Sequence, residues 1–215
     1  LDFLGLARNK SGLEFLILKS GDVNMLFQND HSYERELFDQ KDCTEILEQC
    51  TFYGCVFRNS SFQATRLVEC VFDECEFVDC NLSLLEIVGS VFTGVRFTNC
   101  KLLGIDWSSP GGFFSASYSG CNMGNNAFTD MNLKKLVFSS CVLGSASFYN
   151  CNLQRAVFDD CDLAESQFYR TDLSYADFRT SRNYYVNAET NILKQTRFSL
   201  PEAVSLLANL DIVIE

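Results

Sequence analysis

The sequence predicts an all-β solenoid, and three observations carry that expectation. A large apolar residue returns at every fifth position from Phe52 to Phe178, the residue two places before it is mostly small, and the beat slips only once. A period of five matches neither the 3.6-residue repeat of a helix nor the two-residue repeat of a strand, so neither element can bury one side of it. A strict short period marks a coil in which each turn stacks on the one before.

The beat is clearest from Cys121 to Phe178. Met123, Phe128, Leu133, Phe138, Leu143, Phe148, Leu153, Phe158, Leu163, Phe168, Leu173 and Phe178 are its large residues, alternating Leu-like and Phe. Tyr118 and Phe113 extend this register backward. An earlier register, one residue out of phase, runs from Phe52 to Trp107 and is richer in Phe. The slip falls in the turn-rich run Ser108-Ser109-Pro110-Gly111-Gly112, where one extra residue makes a bulge at a corner.

Of the 11 cysteines, all but Cys43 fall at the small position two before a large residue. A buried free cysteine behaves as a small hydrophobe, so packing explains them better than chemistry. Spacings such as Cys70-x4-Cys75-x4-Cys80 also differ from those of zinc ribbons and fingers. The one histidine, His31, falls in the segment expected to cap the coil, and no Ser-His-Asp set or glycine-rich phosphate loop appears. The expectation is a protein without catalytic residues, metal or cofactor.

The net charge is −11, with no basic stripe to meet phosphates, which argues against direct nucleic-acid binding. Acidic residues gather at Glu69, Asp73, Glu74, Glu76 and Asp79, and again at Asp159, Asp160, Asp162 and Glu165, with Lys134, Lys135 and Arg155 breaking up the acid. These runs read either as a solvated face or as a surface that fills a DNA-binding groove. Apolar runs of about five residues are far short of the ~20 that a membrane-spanning helix needs.

The two ends depart from the beat. Residues 1–24 read as an appended extension in which Leu13–Leu18 makes a short strand; they lack the charged start and apolar run of a signal peptide. Residues 26–42, with Tyr33, Leu37 and Phe38, are expected to cap the coil. After Phe178 the beat persists at Leu193 and Phe198 but is lost at Asn183 and Ala188, so the last turn is distorted. Ser199-Leu200-Pro201-Glu202 then reads as a capping box opening a short helix, followed by an apolar strand, Asp211 to Glu215. Leu206, Leu207, Leu210, Ile212, Val213 and Ile214 are too many apolar residues for a free tail, and part of this surface is expected to make a self-complementary dimer contact.

Motifs such as Cys161-Asp162-Leu163-Ala164-Glu165 and Ala176-Asp177-Phe178-Arg179-Thr180 resemble those of the pentapeptide-repeat proteins. The resemblance implies a right-handed quadrilateral β-helix, four repeats per turn, with turns about 4.8 Å apart. It divides the chain into an N-terminal extension and cap (1–42), the coil (43–180) with its slip at 108–112, and a final segment (181–215) of distorted turn, capping helix and dimerisation strand. With four faces, residues twenty apart stack like on like: Phe128, Phe148 and Phe168 in one column, Phe138, Phe158 and Phe178 in the opposite one.

The tail, Asn187-x3-Asn191-x-Leu193-Lys194 followed by Phe198-Ser199-Leu200-Pro201-Glu202, resembles that of the topoisomerase-protecting members: the quinolone-resistance (Qnr) group and the microcin-immunity type. That resemblance implies a cytoplasmic homodimer that mimics DNA and binds DNA gyrase and topoisomerase IV. The projecting loops of the Gram-negative Qnr proteins have no counterpart here. The alternative is a structural or adaptor module for a different protein partner.

Overall fold

A computed structural model describes the backbone of residues 3–8 and 14–18 and the full residues 27–108 and 113–207. Two compact units divide the chain: Leu1–Lys101 with Ser109–Ala116, and Leu102–Ser108 with Ser117–Glu215. Each is a stretch of right-handed quadrilateral β-helix whose three- and four-residue strands pair in parallel with the strands one turn away.

In the first unit, Phe57 pairs with Phe77, Phe52 with Phe72 and Leu67 with Ile87, all twenty residues apart. In the second, Phe138 pairs with Phe158 and Phe148 with Phe168. The periodicity dictates this packing. Four repeats close one turn, so the next residue on the same face is the twentieth, and the strand ladder holds its ring over the one before. Ring centroids of Phe128, Phe148 and Phe168 are 4.9 Å apart at each step, and Phe158 lies 5.0 Å from Phe138 and 4.5 Å from Phe178. The two columns meet edge to face, as Phe148 and Phe158 do at 6.1 Å and 89°.

In the first unit the Phe columns occupy neighbouring faces instead: Phe52–Phe72–Phe92 and Phe57–Phe77–Phe97, with Phe52 and Phe57 5.4 Å apart. Each buried Phe is worth roughly 1.5–3 kcal/mol in apolar burial, with about 0.5–1.5 kcal/mol more per favourable ring pair.

The corners have one recurring cause. At most repeats the residue two after the large one takes a left-handed backbone, with φ of 52° at Glu69, 54° at Glu74 and 60° at Arg155. For a residue with a Cβ this costs about 1–2 kcal/mol. The cost is offset because the same residue donates its backbone N–H to the next turn: Glu69 to Val88 O at 2.8 Å, and Arg155 to Ser174 O at 2.9 Å.

Of the expected large residues from Phe52 to Phe178, all but Ile87 and Phe113 are buried, and Leu193 and Phe198 beyond them are half-buried. Phe113 is 73% exposed, contrary to its expected place in the core. Ser115 makes the backbone bonds to Phe92 and Val95 in this part of the chain, which leaves Phe113 outside the ladder. The slip itself shows in the bridge between Asp106 and Ala127, twenty-one residues apart. The rest of the expected slip, 109–112, lies outside the described residues.

In the segment expected to cap the coil, residues 32–39 pair with its first strands. β1 (Phe3–Arg8) and β2 (Glu14–Leu18) make an antiparallel hairpin, and β2 pairs in parallel with β4 (Glu36–Asp39). β3 (Ser32–Glu34) and β4 continue the ladder, with Tyr33 opposite Phe52 and Phe38 opposite Phe57. These pairs are nineteen apart, so a second slip, one residue short, lies between Cys43 and Leu47. Cys43 consequently holds a large-residue place: its N–H bonds Ser61 O, as Phe62 N–H bonds Asn81 O one turn on. Phe27 lies within 6.3 Å of five other rings and covers this end of the aromatic column.

At the other end, Tyr184 is buried in the turn where Asn183 loses the beat, its ring 5.5 Å from Phe198. In the expected capping box, Glu202 has a different partner. Glu202 accepts instead from the backbone N–H of Asn183, and Glu202–Leu207 is a short 3-10 helix.

The small position does more than save space. Cys75 Sγ donates to Phe52 O at 3.3 Å and Cys151 Sγ to Phe128 O at 3.3 Å. Thr65, Ser166 and Ser181 hydroxyls make the same bond. A short donor here satisfies a carbonyl on the neighbouring turn, which explains Cys, Ser and Thr together. All 11 cysteines are buried and none is in a disulfide, and burial pushes Cys50 and Cys151 up to about 11.

Two outcomes follow. Phe158→Ala is expected to lower unfolding stability in urea by about 3–5 kcal/mol, whereas Val137→Ala on the exposed face costs under about 1 kcal/mol. Ellman's reagent is expected to find no fast-reacting thiol in the folded chain and all eleven after denaturation; several fast thiols in the native protein would contradict the packing.

Candidate functional site

The interior of each coil is filled by stacked Phe and Leu side chains, so whatever the chain binds meets its outer faces. Three places per repeat point outward: the residues either side of the large one, and the left-handed corner residue. Each forms a column with its counterparts twenty residues away.

The first acidic run belongs to one turn of the first unit. Glu69, Glu74 and Asp79 are exposed at three successive corners, and Asp73 and Glu76 lie half-buried on the two faces between them. The run therefore wraps around the coil instead of running along it. Along the columns, partners of other kinds steady the carboxylates. Gln49 donates to Glu69 Oε2 at 2.9 Å, Asn99 to Asp79 Oδ1 at 3.2 Å, and Arg96 pairs with Glu76. Gly94 has a positive φ, and a Cβ there would meet Glu74 Oε1 at 2.6 Å, so the glycine leaves room for that carboxylate.

The second run, in the second unit, is more fully neutralised. Arg182 lies 3.3 Å from Asp162 and 3.7 Å from Asp160. Thr180 donates to Asp159 Oδ1 at 2.9 Å and Ser145 to Glu165 Oε2 at 2.9 Å. A hydrogen bond from Asn183, aided by Arg182, holds the Asp162 carboxyl below the usual range. Arg179, with Arg197 further off, does the same for Asp177.

The two units differ in charge. The first carries sixteen Asp and Glu against nine Lys and Arg, a net −7 that lies within residues 27–101, while the second carries twelve against eight, a net −4. Sequence reading placed Lys134, Lys135 and Arg155 among the acids. In the structure they stand apart from the run at Asp159 to Glu165: Lys134 follows Leu133, and Lys135 and Arg155 share one corner column. That separation becomes legible only when residues are counted in twenties.

Of the expected dimer contacts, Leu206 is half-buried and Leu207 is 38% exposed, beside Val204 at 43% and Leu200 at 81%. Leu210, Ile212, Val213 and Ile214 lie outside the described residues. Among the described residues no group of His, Cys, Asp and Glu is arranged to hold a metal ion, and no helix is long and apolar enough to cross a membrane.

No curated protein matches the sequence. Among solved structures, the chain is similar to HetL, a pentapeptide repeat protein involved in heterocyst differentiation regulation from the cyanobacterium Nostoc sp. strain PCC 7120. Identity is 16%, covering 80% of this chain and 88% of HetL, at a TM-score of 0.53. It also matches full-length QnrB1, a plasmid-mediated fluoroquinolone resistance protein, at 16% identity over 84% of this chain and all of QnrB1, at a TM-score of 0.42. Family models for a pentapeptide repeat region and for pentapeptide repeats (8 copies) match residues 112–187 and 50–84. Those matches and the four-sided ladder agree: the chain belongs to the pentapeptide-repeat proteins.

Proposed function

We propose that the chain is a non-enzymatic binding protein that offers its first unit to DNA gyrase or topoisomerase IV in place of duplex DNA, shielding the enzyme from a quinolone or a related poison. The observation that carries this reading is the acid density of that unit. A net −7 over about four turns of ~4.8 Å is roughly one negative charge per 3 Å of coil, against one per ~1.7 Å for duplex DNA. The resemblance of the tail to the topoisomerase-protecting members supports the same choice of partner, and the exposed Leu200, Val204 and Leu207 supply the apolar surface that a dimer contact requires.

A second reading, an adaptor for another protein, is favoured by one feature. Arg96 and Arg66 pair with Glu76 and Glu86 and interrupt the acid along the columns. Such breaks suit a specific protein surface better than a uniform polyanion groove.

The two readings part in a supercoiling assay. Purified gyrase is titrated with the chain, with and without ciprofloxacin. The gyrase reading expects inhibition of supercoiling, relief of drug-induced cleavage, or both, weakened by salt and by reversing Asp73, Glu74, Glu76 and Asp79 to Lys. No change in either condition up to tens of micromolar overturns it and leaves the adaptor reading.

A further inference from the structure

The second unit carries a face that the acidic reading does not use. Four cations stand on it or at its corner: Lys134, Lys135, Arg155 and Lys194. Among the described residues none of the four forms an ion pair, whereas Arg179, Arg182 and Arg197 of the same unit are all paired with Asp160, Asp162 or Asp177. The acids on this side are occupied. Gln154 and Ser174 bond Asp172, which Lys134 also stabilises in its charged form, and Asn150 bonds Asp130.

Tyrosines lie beside the cations. Tyr175, 41% exposed, has the Arg155 guanidinium 5.5 Å from its ring centre. On the adjoining face Tyr149 and Tyr169 stack at 5.5 Å and 21°, and Arg170 lies 5.3 Å from the centre of Tyr169. Thr129 is the next residue of that column, opposite Tyr149, and is too short to cover the other side of the ring.

We infer that this face binds the backbone of single-stranded nucleic acid, with Lys134, Lys135, Arg155 and Lys194 meeting phosphates and a base stacking on Tyr149. Two arguments select this occupant. Lysine is depleted at the cores of protein interfaces, while phosphates take lysine readily as a point charge. A basic surface interleaved with exposed aromatic rings is how proteins hold single strands, and a flat β-face offers no helix or ribbon to enter a duplex groove. The unit's net charge of −4, against −7 for the first, leaves this face the weaker barrier to a polyanion. The inference stands apart from the gyrase reading, since it concerns the opposite sign of charge on the other unit.

The test is fluorescence anisotropy of a labelled oligo(dT) of about twenty nucleotides, titrated with the full chain from 20 to 200 mM KCl. Binding is expected at low salt, with a log–log salt slope near −3, about −0.7 for each of four phosphates neutralised. K135E/R155E should weaken binding at least tenfold and flatten the slope. Tyr149→Leu, which leaves the charge alone, should weaken binding about five- to a hundredfold without changing the slope. Lys101→Glu, a reversal in the first unit, should change little; it controls for net charge. Several results overturn the inference: no binding at 20 mM salt up to tens of micromolar, duplex DNA binding as tightly as single strands, polyglutamate competing as well as oligo(dT), or Tyr149→Leu leaving affinity unmoved.

Discussion

The structure depends on one coupling: the parallel strand ladder fixes neighbouring turns at one spacing, and at that spacing a flat ring over its twin makes good contact. The backbone bonds and the side-chain stacks share the same twenty-residue step, so each enforces the other. Phe138 sits over Phe158 because Val137, Phe138 and Ser139 pair with Val157, Phe158 and Asp159. A slip in the chain would break both at once unless it fell where a turn can absorb it. The slip between Cys43 and Leu47 falls outside the strands.

The same coupling divides interior from exterior without leaving a choice. The large residue and the one two before it face inward; the remaining three places carry all the variation. The interior is therefore apolar and monotonous, and the small position serves mainly to give a carbonyl its donor, from Cys75, Thr65 or Ser181 alike. Any function has to be written on the outer columns, in charge and in exposed aromatics. The two units write different things there: the first the larger acid excess, the second a smaller one in which Arg179, Arg182 and Arg197 are paired with acids.

Much of the fold was legible because its period is short and strict. The columns of Phe128 and Phe138, the inward cysteines and the faltering turn at Asn183 could all be read by counting. Three features could not. Tyr33 and Phe38 join the ladder although the step there is nineteen, so a count in fives from Phe52 misses them. Phe113 keeps the beat yet lies outside, because backbone pairing by Ser115 outweighs one residue's apolarity. Ser199 and Glu202 spell a capping box, but the N–H of Asn183 reaches the carboxylate first. The site was less legible than the fold. Runs of acid are neighbours in sequence, whereas neighbours on the surface are twenty apart, so the Gln49–Glu69 and Asn99–Asp79 partners were hidden.

The twenty-residue step is itself measurable. In a deuterated sample with protonated Phe and backbone amides, nuclear Overhauser contacts report which residues lie side by side. Contacts between residues i and i+20 should run through 117–178 on all faces, with ring contacts linking Phe138 to Phe158 and Phe158 to Phe178. Absence of those contacts, with i to i+3 or antiparallel pairings in their place, would contradict the coil and every surface assignment built on it.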